Sequence, residues 1–373
     1  VWETSVQEAV AHRVSDIHVL AQQGRHELHL RIDGDLQLQG DLPSGLAQHL
    51  ISHVKAAAGM DVAEMRRPLE GHIRQQAGGR GIDMRISTLA SQHGQDMVVR
   101  VFDREVSLLD LNELGLLPEQ LRTVEDLLER PSGLVLLTGP TAAGKTTTLY
   151  AMLRRLAGST RKIMTIEDPI EYDLAGVNQI QVNPRIGVTF AVMIAAILRQ
   201  DPDVIMVGEI RDEETARTAV RAANTGNLVL ATTHAVRAVR ALETMLSLGV
   251  HPYFLAASLR ATVAQVLVKQ VCEDCKTELP ETADIVLDEG VRQRLGEGAQ
   301  PRLVLGQGCD ACGQSGYRGR TALFEVFAAS EHVRSLILQQ RPVLEIEEAY
   351  RREGSLNLEE TAKLAAVQGV TTM

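Results

Sequence analysis

The sequence predicts an α/β chain with a doubly wound, mostly parallel sheet, preceded by a small α+β domain and followed by a four-cysteine insert and C-terminal helices. Three observations predict this architecture. Continuous apolar strands alternate with helical stretches from Leu134 onward, a pattern typical of a parallel sheet covered on both faces. Short alternating strands dominate the earlier part of the chain. A glycine-rich loop joins the first apolar strand to a helix.

The first domain is predicted over residues 1–102 and mixes short strands with a helix. His26 to Ile32 and Leu36 to Gln39 alternate around Asp33-Gly34, which indicates a hairpin. Ser44 is a plausible N-cap for the helix that follows. Three further strands, separated by glycine turns, are predicted around His72 to Arg74, Ile82 to Thr88 and Met97 to Phe102.

The second domain is predicted over residues 118–373, after a flexible linker at 103–117 where the periodicity weakens. Pro118 suits the first turn of the helix that opens it. We expect the sheet pattern to end near Val271, where an insert over about 271–320 precedes short helices. The predicted strands are Leu134 to Leu137, Lys162 to Ile166, Val204 to Val207 and Leu228 to Ala231.

The net charge, the aromatic content and the length of the apolar runs argue against nucleic acid as a partner and against a membrane-spanning segment. The formal charge of -10 disfavours a surface that binds duplex nucleic acid, and an aromatic content of 3% leaves few platforms for single strands. The longest apolar run, Phe190 to Leu198, is well short of the roughly 20 residues that a spanning helix needs. We therefore expect neither nucleic-acid binding nor a transmembrane segment.

The glycine-rich loop Gly139 to Thr146 fits G-x-x-x-x-G-K-[ST] and lies between an apolar strand and a helical run. This context favours a phosphate-loop NTPase of the RecA-like class that binds ATP and Mg2+. Lys145 is expected to reach the β and γ phosphates, and the Thr146 hydroxyl to bind Mg2+. The alternative is an ordinary strand-to-helix turn with a surface lysine. The residues expected to line the nucleotide site are Gly139, Pro140, Thr141, Ala142, Ala143, Gly144, Lys145, Thr146 and Thr147.

Hydrolysis also requires carboxylates at the ends of neighbouring strands. Gly208 occupies the position where many phosphate-loop enzymes carry a metal-binding Asp, which leaves Glu209 as the residue expected to polarise water. Glu167 ends another buried strand and is expected to support the water or the metal. The alternative for both residues is an ordinary helix-start or salt-bridging acid. His234 follows a further strand and is expected to sense the γ-phosphate, although a structural histidine fits equally.

Two Cys-x-x-Cys pairs, on either side of residues 276–308, have the spacing of a metal site. Four thiolates close a tetrahedral Zn2+ shell with no open position, so the expected role is structural. Disulfides and a redox Cys-x-x-Cys are the alternatives. The expected ligands are Cys272, Cys275, Cys309 and Cys312.

The sequence resembles the secretion and pilus-assembly ATPases, the motors of type II secretion, type IV pilus extension and competence pseudopili. The four cysteines match the zinc-containing branch, which the resemblance distinguishes from the pilus-retraction branch. Ala142-Ala143 stands where the family usually has Gly-Ser. The stretches that carry the resemblance are Gly139 to Tyr150 (GPTAAGKTTTLY), Thr165 to Tyr172 (TIEDPIEY), Leu198 to Asp212 (LRQDPDVIMVGEIRD) and Gly308 to Val326 (GCDACGQSGYRGRTALFEV).

The resemblance implies a cytoplasmic ATPase that forms a homo-hexamer and works against an inner-membrane platform protein, peripheral to that membrane. It also implies that Arg85 and Arg100, on matching strands of the first domain, reach the γ-phosphate. Both arginines are otherwise read as solvated charges on a strand face. Three other functions compete with this one: a nucleotide-gated scaffold with little turnover, a pilus-retraction-type motor and a nucleic-acid translocase.

Overall fold

The computed structural model describes residues 6–7, 9–10, 12–77, 79–103, 109–279, 287–295 and 301–373. The chain divides into two compact units, Val1–Leu108 and Leu109–Met373. Residues 109–117, expected to be part of the linker, belong to the second unit because Leu111 and Leu114 are buried in its core. Residues 104–108 of the expected linker lie outside the described part of the chain.

The first unit contains a sheet of six antiparallel strands in the order β3-β2-β1-β6-β5-β4 and a helix, α1 (Ser44–Ala57). The predicted hairpin is confirmed, with Asp33 and Gly34 at φ 48 and 98° joining β2 to β3. Pro43, rather than Ser44, occupies the N-cap position of α1, and no side chain caps it. The strands are β1 (Val14–Gln22), β2 (Arg25–Ile32), β3 (Asp35–Pro43), β4 (Leu69–Ala77), β5 (Arg80–Ser91) and β6 (Gly94–Asp103).

The second unit is built on a seven-stranded sheet in the order β15-β12-β7-β11-β10-β8-β9. Adjacent strands are parallel except β12 and β15, which pair antiparallel. A separate ribbon pairs β13 with β14. The strands are β7 (Gly133–Thr138), β8 (Ile163–Glu167), β9 (Asn178–Gln181), β10 (Val204–Val207), β11 (Leu228–Thr232), β12 (Leu259–Val271), β13 (Lys276–Glu278), β14 (Val304–Gly306) and β15 (Tyr317–Ala328).

Helices cover both faces of this sheet, as the sequence predicts. Alternate residues of β7 enter opposite cores: Leu134 and Leu136 pack with α4 to α7, α9 and α10, whereas Val135 and Leu137 pack with α2 and α3. The helices are α2 (Pro118–Glu129), α3 (Lys145–Ala157), α4 (Phe190–Ile197), α5 (Glu213–Asn224), α6 (Ala238–Ser247), α7 (Pro252–Ser258), α8 (Glu289–Leu295), α9 (Glu331–Leu338), α10 (Val343–Arg352) and α11 (Leu358–Val367).

The sheet does not end near Val271, so that expectation was wrong. Strand β15 returns after the cysteine insert and pairs with β12 from Ala261↔Ala328 to Val271↔Tyr317. This pairing joins segments that are distant in sequence, and local periodicity carries no signal for it. Of the insert expected over about 271–320, residues 280–286 and 296–300 lie outside the described part. Among the described helices, none combines the length and hydrophobicity that a bilayer crossing requires.

Strand β15 carries a buried acid, Glu325, whose side chain is only 1% exposed. Burial raises the pKa of Glu325 to about 7, and the charge of Glu347 adds to the shift. The backbone N–H groups of Ala238 and Leu358 and the charge of Arg237 act in the opposite direction. Arg237 also pairs with Glu347 at 3.1 Å. Glu325 is therefore a titratable group inside the second unit.

Candidate nucleotide site

The phosphate loop connects β7, which is buried throughout, to α3, which begins at Lys145. Two of its glycines have positive φ, 148° at Gly139 and 84° at Gly144. A Cβ on Gly139 would lie 2.3 Å from the Gln265 carbonyl oxygen, and one on Gly144 would lie 2.9 Å from Gln265 Nε2. Both positions therefore require glycine for conformation and for space. A loop of this type offers backbone N–H groups to a phosphate.

Gln265 of β12 packs against the phosphate loop and the start of α3. Its side chain is buried, and Oε1 accepts a hydrogen bond of 2.8 Å from Thr148 Oγ1 in the first turn of α3. The loop and helix are thus fixed to the neighbouring strand. Ala142 has φ 61°, a left-handed conformation that disfavours a residue with a Cβ by about 1–2 kcal/mol. This is one of the positions where the family usually has glycine.

Lys145 folds over the loop. Its Nζ donates hydrogen bonds to the carbonyl oxygens of Gly139 at 2.7 Å and Pro140 at 2.9 Å. Burial lowers the pKa of Lys145, and the charge of Glu209 opposes that shift. The side chain of Thr146 is exposed beside it, as a group that binds a metal from solvent must be. Lys145 and Glu209 are therefore within electrostatic reach of each other, as expected for one catalytic site.

Glu209 lies after β10, and its carboxylate is held by two side chains, Arg211 and His234. Arg211 donates to one carboxylate oxygen at 2.5 Å, and His234 Nε2 contacts the other. Burial alone would raise the pKa of Glu209, but the Arg211 hydrogen bond and the charge of His234 outweigh it, so the pKa is lowered. The structure thus brings Glu209 and His234 together, and Glu209 is a ready acceptor of hydrogen bonds.

Glu167 is buried at the end of β8, and its carboxyl group accepts three hydrogen bonds. Thr165 Oγ1 donates at 2.6 Å, Gln179 Nε2 donates at 3.0 Å, and the Tyr150 hydroxyl completes the set. Burial, followed by the charge of Glu167, raises the pKa of Tyr150, which keeps this phenol a proton donor. Glu167 is therefore fixed in orientation by its neighbours.

The two acids lie at the same edge of the sheet. Strands β10 and β8 pair with Val207 opposite Ile166, and Gly208 N donates to Ile166 O at 2.8 Å. A Cβ on Gly208 would lie 3.1 Å from that same oxygen. Close strand packing therefore accounts for glycine where an aspartate is common. Thr138, the last residue of β7, connects the same edge to the loop after His234. Its Oγ1 accepts a hydrogen bond of 2.7 Å from Ala235 N and donates one of 2.6 Å to Ala235 O.

Several residues that support this site had no role predicted from the sequence, among them Arg211, Tyr150, Gln179 and Gln265. Arg211 lies within the quoted GEIRD stretch and Tyr150 at the end of the quoted loop stretch, so the resemblance contained a signal for both. Gln179 and Gln265 lie on strands that were not predicted, and no local pattern marks them.

Arg85 and Arg100 lie in the first unit. They are direct cross-strand partners on β5 and β6, on the face opposite the buried Met84. Arg100 Nε pairs with Asp16 at 2.9 Å, and the Arg85 guanidinium lies 4.8 Å from the centre of the Phe102 ring. The register thus brings the two arginines side by side within the first unit.

The four cysteines form a cluster whose sulfur atoms all lie within 4.8 Å of one another. Measured Sγ–Sγ distances are 3.9 Å for Cys272–Cys309, 3.9 Å for Cys275–Cys312 and 3.8 Å for Cys309–Cys312. Tetrahedral Zn–S bonds of about 2.3 Å require sulfur atoms about 3.8 Å apart. The backbone N–H groups of Cys309 and Gly316 donate to Cys312 Sγ, as they would to a thiolate. The donor set therefore fits Zn2+, and the structure supports the predicted zinc site.

The whole chain, residues 1–373, matches the family described as type II/IV secretion system protein. It is 42% identical over 366 residues to the type II secretion system protein HxcR of Pseudomonas aeruginosa, covering 98% of this chain and 74% of that protein. It is 39% identical over 368 residues to the type IV pilus assembly ATPase PilB of Thermus thermophilus, covering 99% of this chain and 41% of that protein.

Solved structures show the same fold. The X-ray structure of the Legionella pneumophila ATPase DotB has a TM-score of 0.72 at 20% identity, covering 100% of this chain and 92% of that one. The pilus retraction motor PilT with bound ADP has a TM-score of 0.65 at 24% identity, covering 100% and 94%. The predicted phosphate-loop fold with its preceding α+β unit is thus confirmed. The chain belongs to the type II/IV secretion system protein family.

Proposed function

We propose that this chain hydrolyses ATP to ADP and phosphate, with Mg2+, and that the energy drives assembly of a type II secretion pseudopilus or a type IV pilus. One observation carries the proposal. A single sheet edge brings Lys145, at the end of the phosphate loop, within electrostatic reach of Glu209, the acid suited to polarise water. The relatives named as a type II secretion protein and a type IV pilus assembly ATPase supply the two candidate processes.

The roles follow from the contacts. The phosphate loop would hold the β and γ phosphates through its backbone N–H groups, and Lys145 Nζ would exchange its two loop carbonyls for phosphate oxygens. Thr146 is the hydroxyl that would ligate Mg2+, which when bound neutralises phosphate charge. Glu209 would accept a hydrogen bond from the attacking water once Arg211 or His234 releases an oxygen.

Four residues would support this chemistry. His234 would report the state of the γ-phosphate to Glu209 through the hydrogen bond that joins them. Glu167, held by three donors, would keep the adjacent end of β8 rigid beside Gly208. Arg85 and Arg100 would compensate charge on the γ-phosphate, a role drawn from the resemblance and from the bidentate geometry of guanidinium.

The assembly is also proposed from the family. The chain would act as a homo-hexamer in the cytoplasm, against an inner-membrane platform protein, with the four-cysteine zinc site as a structural element. Light scattering in the presence of a non-hydrolysable ATP analogue should detect the hexamer. Only monomer at high protein concentration would contradict it.

The test is steady-state phosphate release with ATP and Mg2+, compared between the wild-type chain and Lys145→Ala. We expect turnover in the wild-type chain and a loss of about 100-fold or more in the variant, because the lysine stabilises transferring charge. A nucleotide-gated scaffold would bind ATP in a direct binding assay without releasing phosphate. That result would replace hydrolysis with the scaffold function. The retraction-type motor is the less favoured motor because the resemblance places four-cysteine chains in the extension and secretion branch.

A further inference from the structure

A second cavity lies in the second unit, at the edge of the sheet opposite the phosphate loop. Its volume is about 430 Å³, and it lies where β7 and β12 begin and β15 ends. Three arginines line it from three different elements: Arg130 follows α2, Arg260 is on β12 and Arg334 is on α9. The six residues of strand β7, about 20 Å of chain, separate it from the phosphate loop. The two sites are thus distinct.

The cavity is lined by three guanidinium groups and two carboxylates, with a net positive charge. Among the described residues, no carboxylate oxygen lies within 4.0 Å of any of the three guanidinium groups. Two acids, Asp126 and Glu353, line the same cavity, and Glu353 accepts a hydrogen bond of 2.7 Å from Ser330. Burial lowers the pKa of Arg260, and the charges of Arg334 and Arg130 lower it further. The arginines are therefore close enough to repel one another.

Local structure holds Arg260 in place at the cavity wall. The Arg260 side chain runs beneath Gly133, where a Cβ would lie 2.3 Å from Arg260 Cγ, so only glycine leaves room for it. Its Nη1 donates to Ala257 O at 3.0 Å. Ser330 caps α9 by accepting a hydrogen bond of 3.1 Å from Val333 N, which brings the positive end of that eight-residue helix to the cavity wall. One arginine and the positive end of a helix are thus held at the cavity wall.

We infer that this cavity binds the phosphate group of a small phosphorylated molecule. A planar carboxylate is satisfied by one guanidinium fork, whereas three forks from different directions suit a tetrahedral, doubly charged phosphate. The cavity is several times larger than one water-sized site, which leaves room for an organic group attached to that phosphate. Asp126 and Glu353 would accept hydrogen bonds from hydroxyl or amino groups of the attached part. This inference does not depend on the proposed hydrolysis.

The experiment uses the full chain carrying Lys145→Ala, which weakens phosphate binding at the other site. Inorganic phosphate and adenosine monophosphate are the two probes, titrated by calorimetry. Arg130→Gln and Arg334→Gln are added separately, and Arg240→Gln, an exposed arginine on α6, is the matched control. Each charge-assisted contact to phosphate contributes about a 10-fold factor in affinity or more. We expect that loss in both cavity variants and not in the control.

The two probes separate the sources of phosphate. Tighter binding of adenosine monophosphate identifies an organic phosphate, and equal binding identifies free phosphate; both results support the site. Absence of saturable binding by either probe would overturn the inference. Binding that survives both Arg130→Gln and Arg334→Gln would also overturn it. Thermal unfolding of each variant verifies folding, since both positions are at least partly exposed and their substitution leaves the core intact.

Discussion

Tyr150→Phe tests the hydrogen-bond network that fixes Glu167. The substitution keeps the ring, which is fully buried and lies 4.6 Å from the Tyr172 ring, and removes only the hydroxyl. That hydroxyl donates to Glu167 and accepts weaker hydrogen bonds of 3.3 Å from Glu171 N and Gln179 Nε2. Gln179 retains its bond to Glu167 at 3.0 Å. The principal loss is therefore one buried hydrogen bond to a carboxylate.

A hydrogen bond to a charged group contributes about 1.5–3 kcal/mol, and a buried acceptor left without its donor lies toward the upper end. We expect the free energy of unfolding to fall by about 2–3 kcal/mol. For a unit of this size, that change lowers Tm by about 5–10 °C.

Thermal and urea unfolding of the full chain measures the change. Tyr253→Phe is the matched control, because Tyr253 is 57% exposed and its hydroxyl has no hydrogen bond among the described residues. Its stability should stay within about 0.5 kcal/mol of wild type. A similarly small change in Tyr150→Phe would refute the network.

Three further predictions follow from the cysteine cluster, the first unit and the buried acid. Elemental analysis should find one zinc per chain, and Cys309→Ser should lose metal and thermal stability together; zinc-free protein purified without chelator would contradict the site. Arg85→Ala and Arg100→Ala should each reduce ATP turnover and the preference for ATP over ADP, with ADP affinity retained; unchanged kinetics in both would leave them as surface charges. Because the pKa of Glu325 is raised to about 7, its contribution to stability is full below the unfolded pKa near 4.5 and is lost as pH rises to about 7. That loss is about 3 kcal/mol. The stability of Glu325→Gln, measured by urea titration, should therefore rise relative to that of wild type as the pH increases from 5 to 8. A stability difference between the two proteins that does not change with pH would contradict the raised pKa of Glu325.

The phosphate loop and its acids could be predicted because the residues involved lie in short, contiguous sequence motifs. The complete G-x-x-x-x-G-K-[ST] pattern between a strand and a helix indicates a phosphate loop, and acids at the ends of parallel strands meet at one edge. The structure brings the four predicted cysteines together, and Lys145 and Glu209 remain the predicted catalytic pair. The contacts that fix these residues could not be predicted in the same way. Gln265 on β12 accepts a hydrogen bond from Thr148 on α3, a contact that no local pattern contains.

Long-range strand pairing was the main gap in the fold prediction. Strand β15 follows the cysteine insert and completes the sheet beside β12, and its first half alternates between exposed and half-buried residues. Such a segment resembles a surface hairpin until its partner is known. The arginine cavity could not be predicted for the same reason. Its three arginines, Arg130, Arg260 and Arg334, come from elements that only the folded sheet brings together.

The central claim is that Glu209 polarises the water that attacks ATP. Glu209→Gln keeps the shape of the side chain but removes the charge that draws a proton, and removal of such a group costs about 100-fold or more in rate. The measurement is phosphate release at saturating ATP and Mg2+, with ATP affinity measured on the same preparation. Glu209→Gln should bind ATP with wild-type affinity and should lose turnover by at least this factor. Turnover within a factor of about two of wild type would contradict it.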